Sequence, residues 1–313
     1  MADENWERTV LEQLARDALD ERRRARRWGI LFRSLTFGFL LAVLLAGVVL
    51  IGARERVCLE KCTALVEVRG ELDAAGRASA ERVIAGLQAA FKNSGTKGVV
   101  VRVNSPGGSP VQAGQIYDEM RRLRAAHPDI PLYAVVEEIA ASGGYYVAAA
   151  ADRIYVDKAS VIGSIGVIME GFGFTGAMEK VGVERRVIAA GENKAFLDPF
   201  EPVDPRQRTY VQGMLDDIHQ QFIAAVKDGR GERLKEQPGM FSGLVWNGKR
   251  AIDLGLADAL GSLDYVAREV VKAEEIVDFM PEDNLAERVA RRFGATLGGQ
   301  IRMALRESWG PLR

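Results

Sequence analysis

Histidine and cysteine each occur only twice in this 313-residue chain, and that scarcity excludes several chemistries. His127 sits in a proline-marked loop, AAHPDIP, and His219 in a helical stretch, LDDIHQQF, far along the chain. Both read as surface residues. They make no His-x-x-x-His pair and no Glu-containing zinc motif, so metal-dependent hydrolysis is excluded for want of ligands. Neither a metal nor any other cofactor is expected. Cys58 and Cys62, with no histidine beside them, are a poor metal site. Their spacing allows either a local bridge or a pair of free thiols. A large charge of one sign is missing as well: 42 basic against 43 acidic residues leave −1, which gives no reason to expect a nucleic-acid partner.

One stretch lacks charge altogether. LTFGFLLAVLLAGVVLIG, residues 35 to 52, is preceded by the cluster RRRARR at 22 to 27 and by Trp28. The run is long enough for a membrane span of roughly 18–20 residues. The arginines on its N-terminal side put the N-terminus in the cytoplasm and everything after Arg54 across the membrane. A cleaved signal peptide has a shorter apolar stretch, of about 7–15 residues, and a shorter basic lead, so an uncleaved anchor is expected. The chain then divides into a cytoplasmic segment (1–27), a transmembrane signal anchor (28–52), an extracytoplasmic domain (53–280) and an arginine-rich tail (281–313).

Within 53–280, short apolar strands alternate with amphipathic helices. ALVEVRGEL, KGVVVRVN and PLYAVVEE read as strands, and ASAERVIAGLQAAFKN and VQAGQIYDEMRRLRAA as the helices between them. That alternation predicts an α/β domain with a parallel sheet and crossover helices. VERRVIAAG reads as a further strand, and PRQRTYVQGMLDDIHQQFIAAVKD and SLDYVAREVVKAEE as long helices. Ligands in parallel sheets sit beyond the carboxyl ends of the strands. Two such ends carry unusual turns, SPGGSP at 105–110 and AASGG at 140–144. Ser142 therefore lies where a strand meets a helix, and from position alone it reads as an N-cap.

Serine turns nucleophile only if a base removes its proton. The elbow Gly-x-Ser-x-Gly is not formed around Ser142, and no histidine is near it in sequence. A lysine can serve if desolvation brings its pKa from about 10.4 towards 7–8. The candidate is Lys194 in IAAGENKAFLDPF, which by itself reads as a solvated loop charge. Gly107, Gly108 and Gly143 allow close backbone approach and could offer N–H groups to an oxyanion, although SPGGSP alone is a plain turn. GFGFTG at 171–176 matches the dinucleotide fingerprint, but its crossover helix is too short and no acidic strand end follows at the required distance. Phe172 and Phe174 instead add apolar surface to a groove or a subunit contact.

Together, VNSPGGSP, AASGGYYVAAAADRIYV, VIGSIGVIM and AAGENKAFLDPF resemble, in order and spacing, the signal peptide peptidase A family of membrane-bound S49 serine peptidases. The resemblance runs over about residues 63 to 270, in the short form with one anchor. It implies a Clp-protease/crotonase-like fold preceded by one transmembrane helix, and a Ser–Lys dyad with Ser142 as nucleophile and Lys194 as general base. Ser164 matches the family serine that hydrogen-bonds the lysine; Gly108 and Gly143 match the oxyanion-hole region. It further implies a homo-oligomer with shared substrate grooves, and cleavage of hydrophobic peptides such as leftover signal peptides at the inner membrane, on its periplasmic side. Two rival readings are a catalytically silent scaffold or chaperone on the same fold, and an acyl-CoA enzyme of crotonase type. The extracytoplasmic placement argues against the latter, since coenzyme A is cytoplasmic.

Overall fold

The computed structural model describes residues 26–45, 58 and 60–281. Helix α1 (Arg26–Leu45) is 20 residues long, with a mean hydropathy of 1.9, enough to cross a membrane. The rest of the expected anchor, the segment before it and the tail from 282 onward lie outside the described residues. The chain falls into two compact units, 1–56 and 57–313.

The second unit is built on eight strands: β1 (Cys62–Arg69), β2 (Thr96–Ser105), β3 (Leu132–Ala141), β4 (Arg153–Val156), β5 (Val161–Gly163), β6 (Val245–Asn247), β7 (Ala259–Leu260) and β8 (Ile276–Asp278). The order is β6-β5-β3-β2-β1-β8, with β4 beside β3 and β7 beside β4. Every pairing is parallel except β5 with β6. The connecting helices are α2 (Ala80–Lys92), α3 (Pro110–Ala126), α4 (Gly143–Ala148), α5 (Thr175–Val181), α6 (Pro205–Arg230), α7 (Gly248–Asp253) and the short α8 (Leu263–Tyr265). This is an α/β fold on a mostly parallel sheet.

The strands are Val-rich because helices cover them, so almost no position must be polar. Val66, Val99, Val101, Val103, Leu132, Ala134 and Ile154 are fully buried. Against them α2 turns Val83, Leu87 and Ala90, and α3 turns Ile116, Met120 and Leu123. Each large apolar side chain so buried contributes about 1.5–3 kcal/mol. Strand β3 is longer than the sequence predicts, because it serves two partners. Its first half, Tyr133 to Val136, pairs with β4 and its second, Ile139 to Ala141, with β5. Ser160 closes the fork: its hydroxyl donates to the Glu137 carbonyl and accepts from the Asp157 N–H.

Two local expectations change and one open alternative is settled. Residues 183–189 form no strand, and their segment joins an exposed arm described below. The helix expected over SLDYVAREVVKAEE is only α8 plus one π-helical turn, Val266–Val271, ended by Lys272 in the left-handed region. Cys58 and Cys62, for which bridge and thiols were both open, are joined as a disulfide at the entry to β1. Helix α6 is fixed at its C-terminal end by Arg230, which is 1% exposed, lies 2.9 Å from the Asp258 carboxylate and donates to the Gly255 carbonyl at 2.8 Å.

Candidate active site

The register between β3 and β5 pairs Ala141 with Gly163, so the next residue on each strand emerges at the same edge. Those residues are Ser142 and Ser164. The Ser142 N–H donates to the Gly163 carbonyl at 2.8 Å, and the Ser164 N–H to the Leu244 carbonyl at 2.7 Å. Both serines have φ of +51°, a region that costs a side-chain-bearing residue of order 1–3 kcal/mol. The strain and the bonds explain why Ser142 is not the cap that its position implies. It stands at the N-cap of α4, yet its hydroxyl makes no capping hydrogen bond. Tyr145 and Tyr146 donate to its carbonyl, so the N–H groups of Gly143 and Gly144 come before the first intrahelical donor.

The second turn comes from the end of β2. Gly107 has φ of +105°, and a Cβ there would lie 2.7 Å from the Ser142 Cβ and 2.8 Å from the Gly143 nitrogen. Gly108, at φ +140°, could not carry a Cβ either, which would meet the Leu72 carbonyl at 2.4 Å. Leu72 holds this turn on both sides. Its N–H donates to the Gly107 carbonyl and its carbonyl accepts from the Ser109 N–H, each at 2.8 Å. Gly107 is thus required by the closeness of one turn to the other, and Gly108 by the closeness of the Leu72 backbone.

Between these turns and α6 lies a cavity of about 290 Å³. One side is made by Gly108, Pro110, Ala113, Ser142, Gly143 and Tyr146. The other is made by residues 166–169 and by Leu215, Ile218, Gln221 and Phe222 of α6. None of these side chains is charged. Burial, and then the nearby charge of Asp118, raise the Tyr146 phenol above its ordinary value, so it stays neutral. The Tyr146 ring in turn packs at a tilt against Phe222, 4.8 Å between centroids, and edge-to-face against Tyr117 at 5.3 Å, which fixes that wall.

Of the residues singled out from sequence, Ser142, Gly143 and Gly108 meet at the cavity, and Ser164 stands beside them through the Gly163 backbone. Lys194 does not join them. It sits exposed in the turn after Gly191, whose carbonyl accepts its N–H at 3.1 Å, and it does not line the cavity. The desolvation that a neutral lysine needs is not made within the single chain. Its segment, residues 166–204, packs largely on itself. Phe174 stacks on Phe200 at 5.4 Å, Arg185 lies over the Phe200 ring at 5.2 Å, and Arg185 pairs with Asp198.

Sequence reading missed the α6 wall and His219. The signal for the wall was available: Leu215, Ile218 and Phe222 recur at the three-and-four spacing of one helix face. For His219, whose Nε2–H donates to the Ile165 carbonyl at 3.1 Å, there was none, because its partner is a backbone group 54 residues away.

Residues 124–277 match the family model for peptidase family S49, and residues 58–162 that for Clp protease. Over 187 residues the chain is 29% identical to a putative signal peptide peptidase SppA of Enterococcus faecium, covering 60% of this chain and 54% of that one. It is 31% identical over 198 residues to a putative protease of Methanocaldococcus jannaschii, covering 62% and 63%. A protein of Brucella melitensis named Na(+)/H(+) antiporter NhaA is 44% identical over 177 residues, 56% of this chain but only 24% of its own length. The chain thus spans from about a quarter to under two thirds of these relatives. A solved ClpP1 variant from Listeria monocytogenes superimposes with a TM-score of 0.41 at 14% identity, over 63% of this chain and 91% of that one. A parallel sheet ending in two glycine-bearing turns beside two strained serines is what the two matched regions build together, a ClpP-like α/β fold, and residues 124–277 belong to the S49 family of serine peptidases.

Proposed function

We propose that the protein is a membrane-anchored serine endopeptidase that cleaves hydrophobic peptides, remnant signal peptides among them, with Ser142 as nucleophile and Lys194 as general base. The observation that carries this is the placement of Ser142. Its hydroxyl is free of any capping duty, and it borders an uncharged cavity between Gly108 and Gly143. In the reaction, neutral Lys194 takes the Ser142 proton as the oxygen adds to the scissile carbonyl. The N–H groups of Gly108 and Gly143 receive the developing oxyanion, and Ser164 holds the amine. The resulting ammonium gives its proton to the departing amine, leaving an acyl-enzyme. Water, deprotonated by Lys194, then releases the acid and restores both side chains.

Lys194 must lose its solvent to act, and a second copy of this chain is the group that covers it. The same arm leaves Ile168, Phe172, Val183 and Ile188 exposed, Ile188 completely. Apolar surface of this kind marks an interface. A homo-oligomer would bury the arm and bring a lysine to each Ser142 cavity. An apolar α1 behind an arginine cluster, and a disulfide just past it, both support an N-terminus in the cytoplasm and a peptidase domain (53–280) in the oxidising space outside it.

The exposure of Lys194 is also what favours the rival reading, a catalytically silent scaffold. A serine-directed fluorophosphonate, applied to the detergent-solubilised full chain and to Ser142→Ala and Lys194→Ala, separates the two. Labelling at Ser142 that is lost in Lys194→Ala supports the dyad. An unlabelled wild type supports the scaffold.

A further inference from the structure

We propose that His219 is a positioning residue that ties the two walls of the Ser142 cavity together and holds the turn bearing Ser164. The inference rests on the peptidase reading and adds to it a part that neither the motifs nor the family match assigns. One wall is the α6 face with Leu215, Ile218 and Phe222; the other is the segment 166–169 that follows Ser164 and Ile165. His219 lies on that same α6 face, one residue after Ile218 and one turn after Leu215. The carbonyl of Ile165, a fully buried residue, accepts both from His219 Nε2–H and from the Gly243 N–H, each at 3.1 Å. A carbonyl only accepts, so Nε2 carries a proton and the imidazole acts on Ile165 as a donor.

The turn needs such a tie. Ser164 has φ of +51°, a conformation kept only where the surroundings impose it. Apart from the bond of its own N–H to the Leu244 carbonyl, the restraint falls on Ile165. Beyond it the chain runs straight into the exposed Ile168 and Met169, 80% and 56% accessible, which have little packing of their own. Among the described residues, the His219 bond is the side-chain hydrogen bond from α6 to the 164–169 segment. Losing it frees one wall from the other and lets the Ser164 hydroxyl drift from its place beside Ser142. Displacement of catalytic groups by about 1 Å costs on the order of 100-fold in rate.

The test uses the full chain in detergent, with three substitutions. His219→Ala removes the ring, His219→Phe keeps its volume without a donor, and His219→Gln restores an N–H of similar reach. Peptide cleavage, thermal midpoint, oligomer size and the pH–rate profile are measured for each. The expected result is a kcat/KM about 10- to 100-fold lower in both His219→Ala and His219→Phe, recovered most of the way in His219→Gln, with an unshifted pH profile throughout. Wild-type turnover in His219→Ala, recovery in His219→Phe or a displaced limb of the profile overturns the proposal, the last because it would make the ring an acid or base. If the wild type cleaves no peptide and takes no serine probe, the peptidase reading fails instead. The tie is then judged by hydrogen exchange at the Ser164 and Gly243 amides, which must be faster in His219→Ala and protected again in His219→Gln.

Discussion

The sheet that carries Ser142 and the arm that carries Lys194 obey opposite rules. In β1 to β3 most side chains are buried, and Ser142 is held by a backbone bond to a neighbouring strand. In residues 166–204 no residue is buried as a whole, and the contacts that organise it are local ring and ion pairs with a few ties to the start of α6. A nucleophile needs a fixed trajectory, which a packed sheet supplies. An arm that is apolar and uncovered is built to be completed by something else. On the proposed reading, the candidate site is finished in its serine half and open in its lysine half.

The largest expected effect tests that openness directly. Ser142→Ala and Lys194→Ala should each lose about 10³-fold or more in peptide cleavage. If a neighbouring copy supplies the lysine, mixed assemblies of the two variants should regain part of it. Cleavage that never returns in any mixed assembly places both groups in one chain and closes the arm onto its own cavity. Next in size is the anchor of α6. Asp258→Asn leaves buried Arg230 without its countercharge and should cost roughly 3–5 kcal/mol in denaturant unfolding. Burial by itself would raise the Asp258 carboxyl, but the Arg230 bond and charge outweigh it and hold it below its ordinary 3.8. This contribution is complete above the unfolded value near 3.8 and is lost as pH falls through the lower folded value. A wild-type unfolding curve flat down through that window would remove the pair from the account.

Gly107→Ala comes third. The added methyl would collide with the Ser142 Cβ at 2.7 Å in a backbone region that disfavours it, for about 2–4 kcal/mol. Activity should fall further than stability, since the collision displaces the nucleophile itself; equal losses would mean a purely structural turn. Smallest for the fold is Ile188→Lys in the arm. A wholly exposed residue should change the thermal midpoint by less than about 0.5 kcal/mol-equivalent, yet sedimentation should show smaller particles. An unchanged assembly would take Ile188 out of the contact between copies.

Much of the sheet was legible before the structure. The runs around Val66, Val101 and Val135 are short, apolar and separated by helices of clear amphipathic spacing, and each became a strand of the parallel sheet. VERRVIAAG misled, because its apolar run Val187-Ile188-Ala189-Ala190 ahead of a glycine reads like a short buried strand. These residues stay exposed and pair with no strand, and β propensity without a neighbour to pack against does not make one. In the candidate site, the serine, the glycines and the lysine were visible as residue types in unusual turns. The cavity was not, because one of its walls is an α6 face assembled from positions more than 70 residues after Ser142.

Local order was therefore written in the residue pattern: an apolar helix near the N-terminus, alternating strands and helices, and glycine at two strand ends. Hydrophobic period and backbone sterics act over a few residues, and a chain declares them without folding. The tertiary structure alone decided that Ser142 does not cap α4, that Ser164 lines up beside it and that His219 reaches Ile165. It decided also that Lys194 is left in solvent. Each of these depends on groups brought together from distant parts of the chain, whose positions are set by strand register and core packing, and no local pattern encodes them.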